Sequence, residues 1–169
     1  MTFGPFADAS ELRSTVEWML ERDDWLPYAI LVDTEPLGFA AYLRINPGDG
    51  VVEIGSIVFS PELQQTTAAT ESIYLMLGNV FRLGYRRCEW KCDDLNEPSR
   101  RAGTRFGFKY EGTFRKATHY KGRSRDTAWF AITSDEWPRL DNAYRVWLSP
   151  ENFDEAGRQL ASLSDLRDE

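Results

Sequence analysis

The sequence predicts one α/β domain, with a mixed, mostly antiparallel sheet and helices on its faces. Three observations support this prediction. Three strand-like segments lie within the first 60 residues, and the turns between them are too short for a crossover, so these strands pair antiparallel. A long helical segment then joins the third strand to a fourth, which is typical of a parallel strand–helix–strand unit. Two more strands on either side of a glycine turn end the sheet, and helical segments follow.

The first half of the predicted domain is a helix followed by three strands. Residues 10–22 place apolar side chains at helical spacing, and Ser10 is a suitable N-cap. Turn-forming residues such as Asn46-Pro47-Gly48 separate the strands. The strands themselves are predicted at Tyr28–Val32, Leu37–Ile45 and Val51–Phe59.

The second half alternates helices with strands. Apolar residues at helical spacing predict a helix from Thr67 to Leu83, ended by Gly84. A shorter helix begins after Asn96 and ends at Gly107. The remaining segments are strands at Arg86–Cys92, Phe108–Thr118 and Asp126–Ile132, and helices at Asp135–Leu148 and Glu151–Leu163. We divide the chain into a domain over residues 1–140 and a C-terminal helical tail over residues 141–169.

The composition narrows the class of protein. A chain of 169 residues, 42% of them hydrophobic, can bury a core of its own. Its net charge of −7 argues against a general binder of nucleic acid or anionic membranes. No apolar run reaches the roughly 18 residues of a membrane span. Cys88 and Cys92 would lie about 13 Å apart on one strand, too far for a disulfide. We therefore expect a cytoplasmic protein without a membrane partner.

The charge is unevenly distributed along the chain. The segment from Arg82 to Arg125 contains 13 basic and 5 acidic residues, a balance of +8, and the rest of the chain has a balance of −15. Two interpretations stay open. Either this basic segment binds an anion, or it is the solvated face of an ordinary domain.

The junction after the third strand has the features of a phosphate-binding turn. The strand ends at Phe59, Pro61 follows, and small residues lead into the long helix at Thr67. The first turn of a helix has free backbone N–H groups and the positive end of the helix dipole, so it binds pyrophosphates without a lysine. An ordinary capped helix start is the alternative.

Three blocks of sequence between Val51 and Leu140 resemble a known enzyme family. They are QQTTAA at Gln64–Ala69, LNEPSRRAGTRFGFKYEG at Leu95–Gly112, and KGRSRDTAWFAITSDEWPRL at Lys121–Leu140. The first resembles the Q/R-x-x-G-x-G/A acetyl-CoA loop of GNAT N-acetyltransferases. The other two are similar to elements of the Rim-type branch, which resembles ribosomal-protein N-acetyltransferases. The resemblance implies a GNAT fold and acetyl transfer from acetyl-CoA to a primary amine, either a protein or peptide N-terminus or a small-molecule amine.

The same resemblance implies roles for individual residues. Asn96 would contact the pantetheine arm, and Ser99 would hydrogen-bond the sulfur as the thiolate leaves. Each has a structural alternative, an N-cap for Asn96 and a first-turn hydroxyl for Ser99. The backbone of Ile57, Val58 and Phe59 would pair with the pantetheine arm, and the pyrophosphate would be held by Gln64, Gln65, Thr66, Thr67, Ala68, Ala69 and Thr70.

Four residues are candidates for the proton transfers of this reaction. Glu53 is our first candidate for the general base, because strand alternation places it on one face with Gly55 and Ile57, toward the cofactor. Glu111 is the second candidate, since the glycine after it marks a bulge that can re-aim a side chain. The two further candidates are His119 as a base and Tyr120 as an acid.

The sequence departs from the family in two places. Thr67 stands where the loop usually has a glycine. The family's first strand and helix have no counterpart before Ser10, so the sequence joins the family's pattern almost directly, at Gly4-Pro5-Phe6. We expect a shortened or mis-started N-terminus, or a sheet edge completed by a partner. Whether the chain forms a homodimer stays open.

Two other functions remain as alternatives. One is a non-catalytic acyl-CoA-binding module, and the other is RNA contact through the segment Arg82–Arg125. A metal site is not expected, because one histidine and two cysteines on one strand lack zinc-ligand spacing. The expected co-substrate is acetyl-CoA alone.

Overall fold

The computed structural model describes residues 6–168 of the chain. The expected shortening of the N-terminus concerns Gly4 and Pro5, which lie outside this range. The strands are β1 (Trp25–Val32), β2 (Glu35–Asn46), β3 (Val51–Phe59), β4 (Arg87–Asp93), β5 (Lys109–Tyr120) and β6 (Arg123–Thr133). The α-helices are α1 (Ala9–Leu20), α2 (Thr67–Arg82), α3 (Glu97–Arg105), α4 (Trp137–Leu148) and α5 (Leu163–Asp168). The predicted α/β class is confirmed.

The six strands of the described chain form one mixed sheet in the order β1-β2-β3-β4-β6-β5. Four of the neighbouring pairs are antiparallel, and β3 pairs with β4 in parallel. The parallel pair follows from the connection between them, because α2 carries the chain back across the sheet before β4 begins. The predicted mixture of strand directions is thereby confirmed.

The pairing between β3 and β4 is short. Their register has three pairs and ends with Glu53 opposite Glu89. Beyond that point β3 contains an irregularity, since Ser56 has a φ of +49° and the register with β2 shifts between Gly55 and Val58. Such a bulge bends a strand and increases its twist. The two strands therefore separate after Glu53 and leave a gap in the sheet.

The main core lies on one face of the sheet, against α2 and α4. Strand β4 contributes Cys88, Trp90 and Cys92 to this core, and both thiols are free. Helix α4 adds Leu140 and Tyr144 to the same core, among others. The predicted division after residue 140 thus falls inside α4, and the separation into a domain and a tail stays a prediction. Within residues 6–168, no helix is long and apolar enough to cross a bilayer.

Two local predictions are wrong. The N-cap of α1 is Asp8 rather than Ser10, and its carboxylate accepts hydrogen bonds from the backbone N–H groups of Ser10 and Glu11. Aspartate and serine cap helices about equally well, so the sequence alone did not separate them. The predicted helix Glu151–Leu163 is instead a 3-10 turn at Pro150–Asn152 followed by irregular chain. The buried side chain of Asn152 explains this difference, since it bonds to the backbone of Trp147 and Ala161 and so stabilises a loop.

We expect alanine to destabilise the protein more at Gly107 than at Gly122, although both glycines have a left-handed backbone. Gly107 has a φ of +97°, and an added Cβ would lie 2.7 Å from two methyl carbons of buried Leu140. Gly122 has a φ of +75° and open space around it. Both substitutions carry the strain of a left-handed residue, and Gly107→Ala adds a collision, so its loss of unfolding free energy should exceed that of Gly122→Ala by about 1–3 kcal/mol. Equal losses in urea titrations would contradict the packing of Leu140 described here.

Candidate active site

A cavity of about 340 Å³ occupies the gap between β3 and β4. Its walls come from β2, β3, β4, the start of α3, the segment before β1 and the β5–β6 hairpin. Five residues named as candidates from the sequence meet in it, namely Glu53, Ile57, Asn96, Ser99 and Tyr120. Other residues of this cleft were not among the predicted site residues, and they include Trp25, Arg44, Trp90, Lys91, Cys92, Asp93 and Arg125.

Glu53 is buried at the point where the two strands separate. Its exposed fraction is 2%, and its Oε2 lies 3.0 Å from Lys91 Nζ and 3.6 Å from Arg44 Nε. The neighbouring carboxylate, Glu89, has its own partners, Arg44 Nη2 at 2.8 Å and Arg87 Nε at 2.9 Å. Buried carboxylates are tolerated only when cations offset their desolvation. This alternation of charges allows two glutamates to lie side by side in the sheet.

The protonation of Glu53 is set by opposing effects. Burial raises its pKa above the ordinary value, and the positive charges of Lys91 and Arg44 oppose that shift. Lys91 acts on Glu53 both through its charge and through a hydrogen-bond contact, and Oε2 itself has almost no exposed surface. A carboxylate that lines the cleft and has a raised pKa is suited to take a proton from a bound amine.

Asn96 and Ser99 stand at the start of α3, on the opposite wall. Asn96 is the N-cap of this helix, and its Oδ1 accepts a hydrogen bond of 3.2 Å from the Ser99 backbone N–H. The structural alternative for Asn96 is therefore confirmed, and it coexists with a place in the cleft. Ser99 Oγ accepts a hydrogen bond of 3.2 Å from Trp90 Nε1 and also lies against the thiol of Cys92. Burial raises the pKa of that thiol, and the bond from Ser99 opposes the shift.

The predicted phosphate loop lies beyond the end of β3. Gln65 has a φ of +61°, and Thr66 is the N-cap of α2. Thr66 Oγ1 accepts from the Ala69 N–H, and the Thr66 carbonyl accepts from the Thr70 N–H. Thr67 and Ala68 are the first two helical residues, and their backbone N–H groups have no hydrogen-bond acceptor in the described chain. An anion at this turn would therefore bind to Thr67 and Ala68, with Ala69 and Thr70 already engaged.

The other candidates for acid–base chemistry differ in position. Glu111 and His119 do not line the cavity. Both oxygens of Glu111 bind Arg87, at 2.8 Å and 2.5 Å, and this contact lowers the pKa of Glu111. Tyr120 does line the cavity, but its hydroxyl donates to Asp93 Oδ2 at 2.9 Å. Glu53 is thus the carboxylate of this set that is buried at the centre of the cleft.

At least five of the 13 basic residues in the segment Arg82–Arg125 form ion pairs with carboxylates of the chain. Arg87 and Lys91 bind the glutamates described above, and Arg100 binds Asp94. Further ion pairs join Arg123 to Asp93 and Lys109 to Glu136. The positive charge therefore balances buried and half-buried carboxylates around the cleft, which weakens the argument for a separate polyanion surface.

Comparison with known proteins decides the family. Residues 1–109 match the family model described as "Acetyltransferase (GNAT) domain". The chain belongs to the GNAT acetyltransferase family. As a GNAT enzyme it is an N-acetyltransferase, so the predicted family, fold and reaction class are confirmed.

Solved structures support the same assignment. A GCN5-related N-acetyltransferase from Brucella melitensis is 45% identical over 100% of this chain and 78% of its own, with a TM-score of 0.96. A GNAT-family protein from Chromobacterium violaceum is 39% identical over 82% of this chain and 74% of its own, with a TM-score of 0.77. An acetyltransferase from Salmonella typhimurium that modifies the N-terminal serine of ribosomal protein L7/L12 is 23% identical over 76% of each chain, with a TM-score of 0.68, and shares the GNAT fold. The search of curated proteins gave no match.

Proposed function

We propose that this GNAT enzyme transfers the acetyl group of acetyl-CoA directly to a primary amine in the cleft between β3 and β4. One observation supports the proposal above the others. A buried carboxylate, Glu53, and a hydroxyl, Ser99, line the same cavity at the point where the two strands separate. Direct transfer needs both reactants in one place, a base for the ammonium proton and a donor for the departing sulfur.

The residues present fit acetyl-CoA as co-substrate. The edge of β3 that faces β4 has no strand partner beyond Glu53, so its backbone groups can bond to the amides of a pantetheine arm. The strand then leads to the start of α2, where the N–H groups of Thr67 and Ala68 suit a pyrophosphate. The cleft and the start of α2 therefore follow one another along β3 in the same order as the thioester and the pyrophosphate along acetyl-CoA.

The proposed reaction uses three side chains in distinct roles. Glu53 takes the proton of the acceptor ammonium, and the free amine forms a bond to the acetyl carbon. The carbon–sulfur bond breaks, its electron pair passes to sulfur, and the Ser99 hydroxyl donates a hydrogen bond to the thiolate. The nitrogen, which is positively charged after the attack, gives its second proton to this thiolate, so the products are the amide and the CoA thiol. Lys91 holds the Glu53 carboxylate in place by its ion pair of 3.0 Å.

The acceptor is a primary amine, either a protein or peptide N-terminus or a small-molecule amine. The test is an amine panel with acetyl-CoA, in which CoA release and acetylated product are both measured. The panel should contain peptides of different first residues, serine included, together with polyamines and amino sugars. Transfer to at least one class supports the proposal. Tight acetyl-CoA binding with neither transfer nor hydrolysis would contradict it and favour a non-catalytic acyl-CoA module.

Thr67→Pro tests the phosphate turn. Thr67 is the first residue of α2, where proline is well tolerated, and Thr66 already has the extended backbone that a following proline requires. The substitution therefore removes one N–H donor with little cost to the helix. Loss of a hydrogen bond to a charged phosphate should weaken acetyl-CoA binding about tenfold, as measured by calorimetry. The matched control is Ala9→Pro at the first position of α1, which should leave binding unchanged. Unchanged affinity in Thr67→Pro would exclude this N–H as a ligand.

A further inference from the structure

Trp90 is part of the same wall of the cleft as Ser99, and its neighbours fix its position. It lies on β4 with an exposed fraction of 5%, and its ring contacts Phe106 and Phe108 at centroid distances of 6.0 Å and 5.5 Å. Gly103 of α3 lies against the indole edge, where an added Cβ would come within 3.1 Å of Cδ1 and 3.2 Å of Nε1. Two phenylalanine rings and a glycine thus leave the indole one position.

The hydrogen bond from this indole determines how the Ser99 hydroxyl is used. An indole N–H donates and never accepts, so in the contact of 3.2 Å Ser99 Oγ must be the acceptor. The proton of Ser99 is then directed away from Trp90. On that other side lie the cleft and the thiol of Cys92, which takes a hydrogen bond from Ser99. The hydroxyl has one proton, so a hydrogen bond to a thioester sulfur replaces the one to Cys92. Asn96 fixes the Ser99 backbone at the same time, so both ends of the residue are held.

We propose that Trp90 is a positioning residue, whose indole N–H commits Ser99 to donate its hydrogen bond to the departing sulfur of acetyl-CoA. The inference rests on the proposed function and adds a residue to it. Without the indole donor, Ser99 Oγ is free to rotate and to accept or donate in several directions. A hydroxyl that is oriented before the substrate arrives needs no reorganisation when charge develops on sulfur.

The first test is Trp90→Phe, which keeps an aromatic ring and removes the N–H. We expect kcat to fall about threefold to tenfold, the range for one net hydrogen bond, while KM for acetyl-CoA changes less than twofold. The matched control is Trp137→Phe, which should leave kcat unchanged. The indole of Trp137 is stacked on Tyr74 and Phe81 and lies outside the cleft. Thermal melting of each variant reports the loss of packing separately.

The second test is a double-mutant cycle with Ser99→Ala. If Trp90 acts through Ser99, Trp90→Phe has no further effect on kcat once the hydroxyl is gone. If kcat of the double variant falls by the product of the two single-variant factors, the inference is overturned and the proposed function is left intact. An unchanged kcat in Trp90→Phe would have the same consequence. A wild-type enzyme that acetylates no amine would overturn the proposed function itself, and the inference with it.

Discussion

Glu53→Gln is expected to lower kcat by about 10²–10⁴-fold, because the amide cannot take the proton of the acceptor ammonium. The substitution keeps the size of the side chain and its contact surface with Lys91 and Arg44. The rate of acetyl transfer under saturating acetyl-CoA and amine is the measurement. Glu111→Gln is the matched control, since Glu111 lies outside the cleft and pairs with Arg87. Its kcat should stay within about twofold of the wild-type value.

The pH profile gives a second signature of the same residue. Glu53 acts as a base only when ionised, so activity should be lost as the pH falls through its pKa. Because burial raises that pKa, the loss should begin at a higher pH than for an ordinary glutamate. This limb of the profile should be absent in Glu53→Gln and present in Glu111→Gln. A Glu53→Gln enzyme with a near wild-type rate and the same limb would assign the base elsewhere.

Ser99→Ala is expected to lower kcat by about 10- to 100-fold, because the departing thiolate loses a hydrogen-bond donor that is already in position. KM for acetyl-CoA should change little, since the bond strengthens only as charge develops on sulfur. Ser72→Ala is the control, because Ser72 lies on α2 and bonds to the Ala69 carbonyl of its own helix. A rise in KM with an unchanged kcat would make Ser99 a binding residue and not a donor to the leaving group.

The elements with strong local signals were predictable from the sequence. Strand β3 has the predicted bounds, and α2 begins at the predicted Thr67. Gly84 and Gly107 follow their helices with left-handed backbones, as the sequence analysis expected of helix-ending glycines. These features depend on residues close together in sequence. The parallel pairing of β3 and β4 was predictable for a similar reason, since a helical crossover sets the strand direction.

The charged part of the site was not predictable, because it depends on sheet register and on irregular backbone. Lys91 contacts Glu53 only because β3 and β4 pair with Glu53 opposite Glu89. Arg44 has a φ of +50° at a register shift in β2, and this local change of direction brings its guanidinium to both glutamates. No periodicity in the sequence indicates such a bulge. Trp90 lies on a strand that was predicted, but its bond to Ser99 depends on where α3 crosses the sheet.

A crystal structure with coenzyme A bound would show where the co-substrate lies. We expect the pantetheine arm along the free edge of β3, its sulfur within hydrogen-bond distance of Ser99 Oγ, and its pyrophosphate at the N–H groups of Thr67 and Ala68. Glu53 would then face the space beside the sulfur from the opposite wall. A coenzyme bound elsewhere, for example in the groove between β1 and α2 that Tyr28 and Leu75 line, would contradict this expectation.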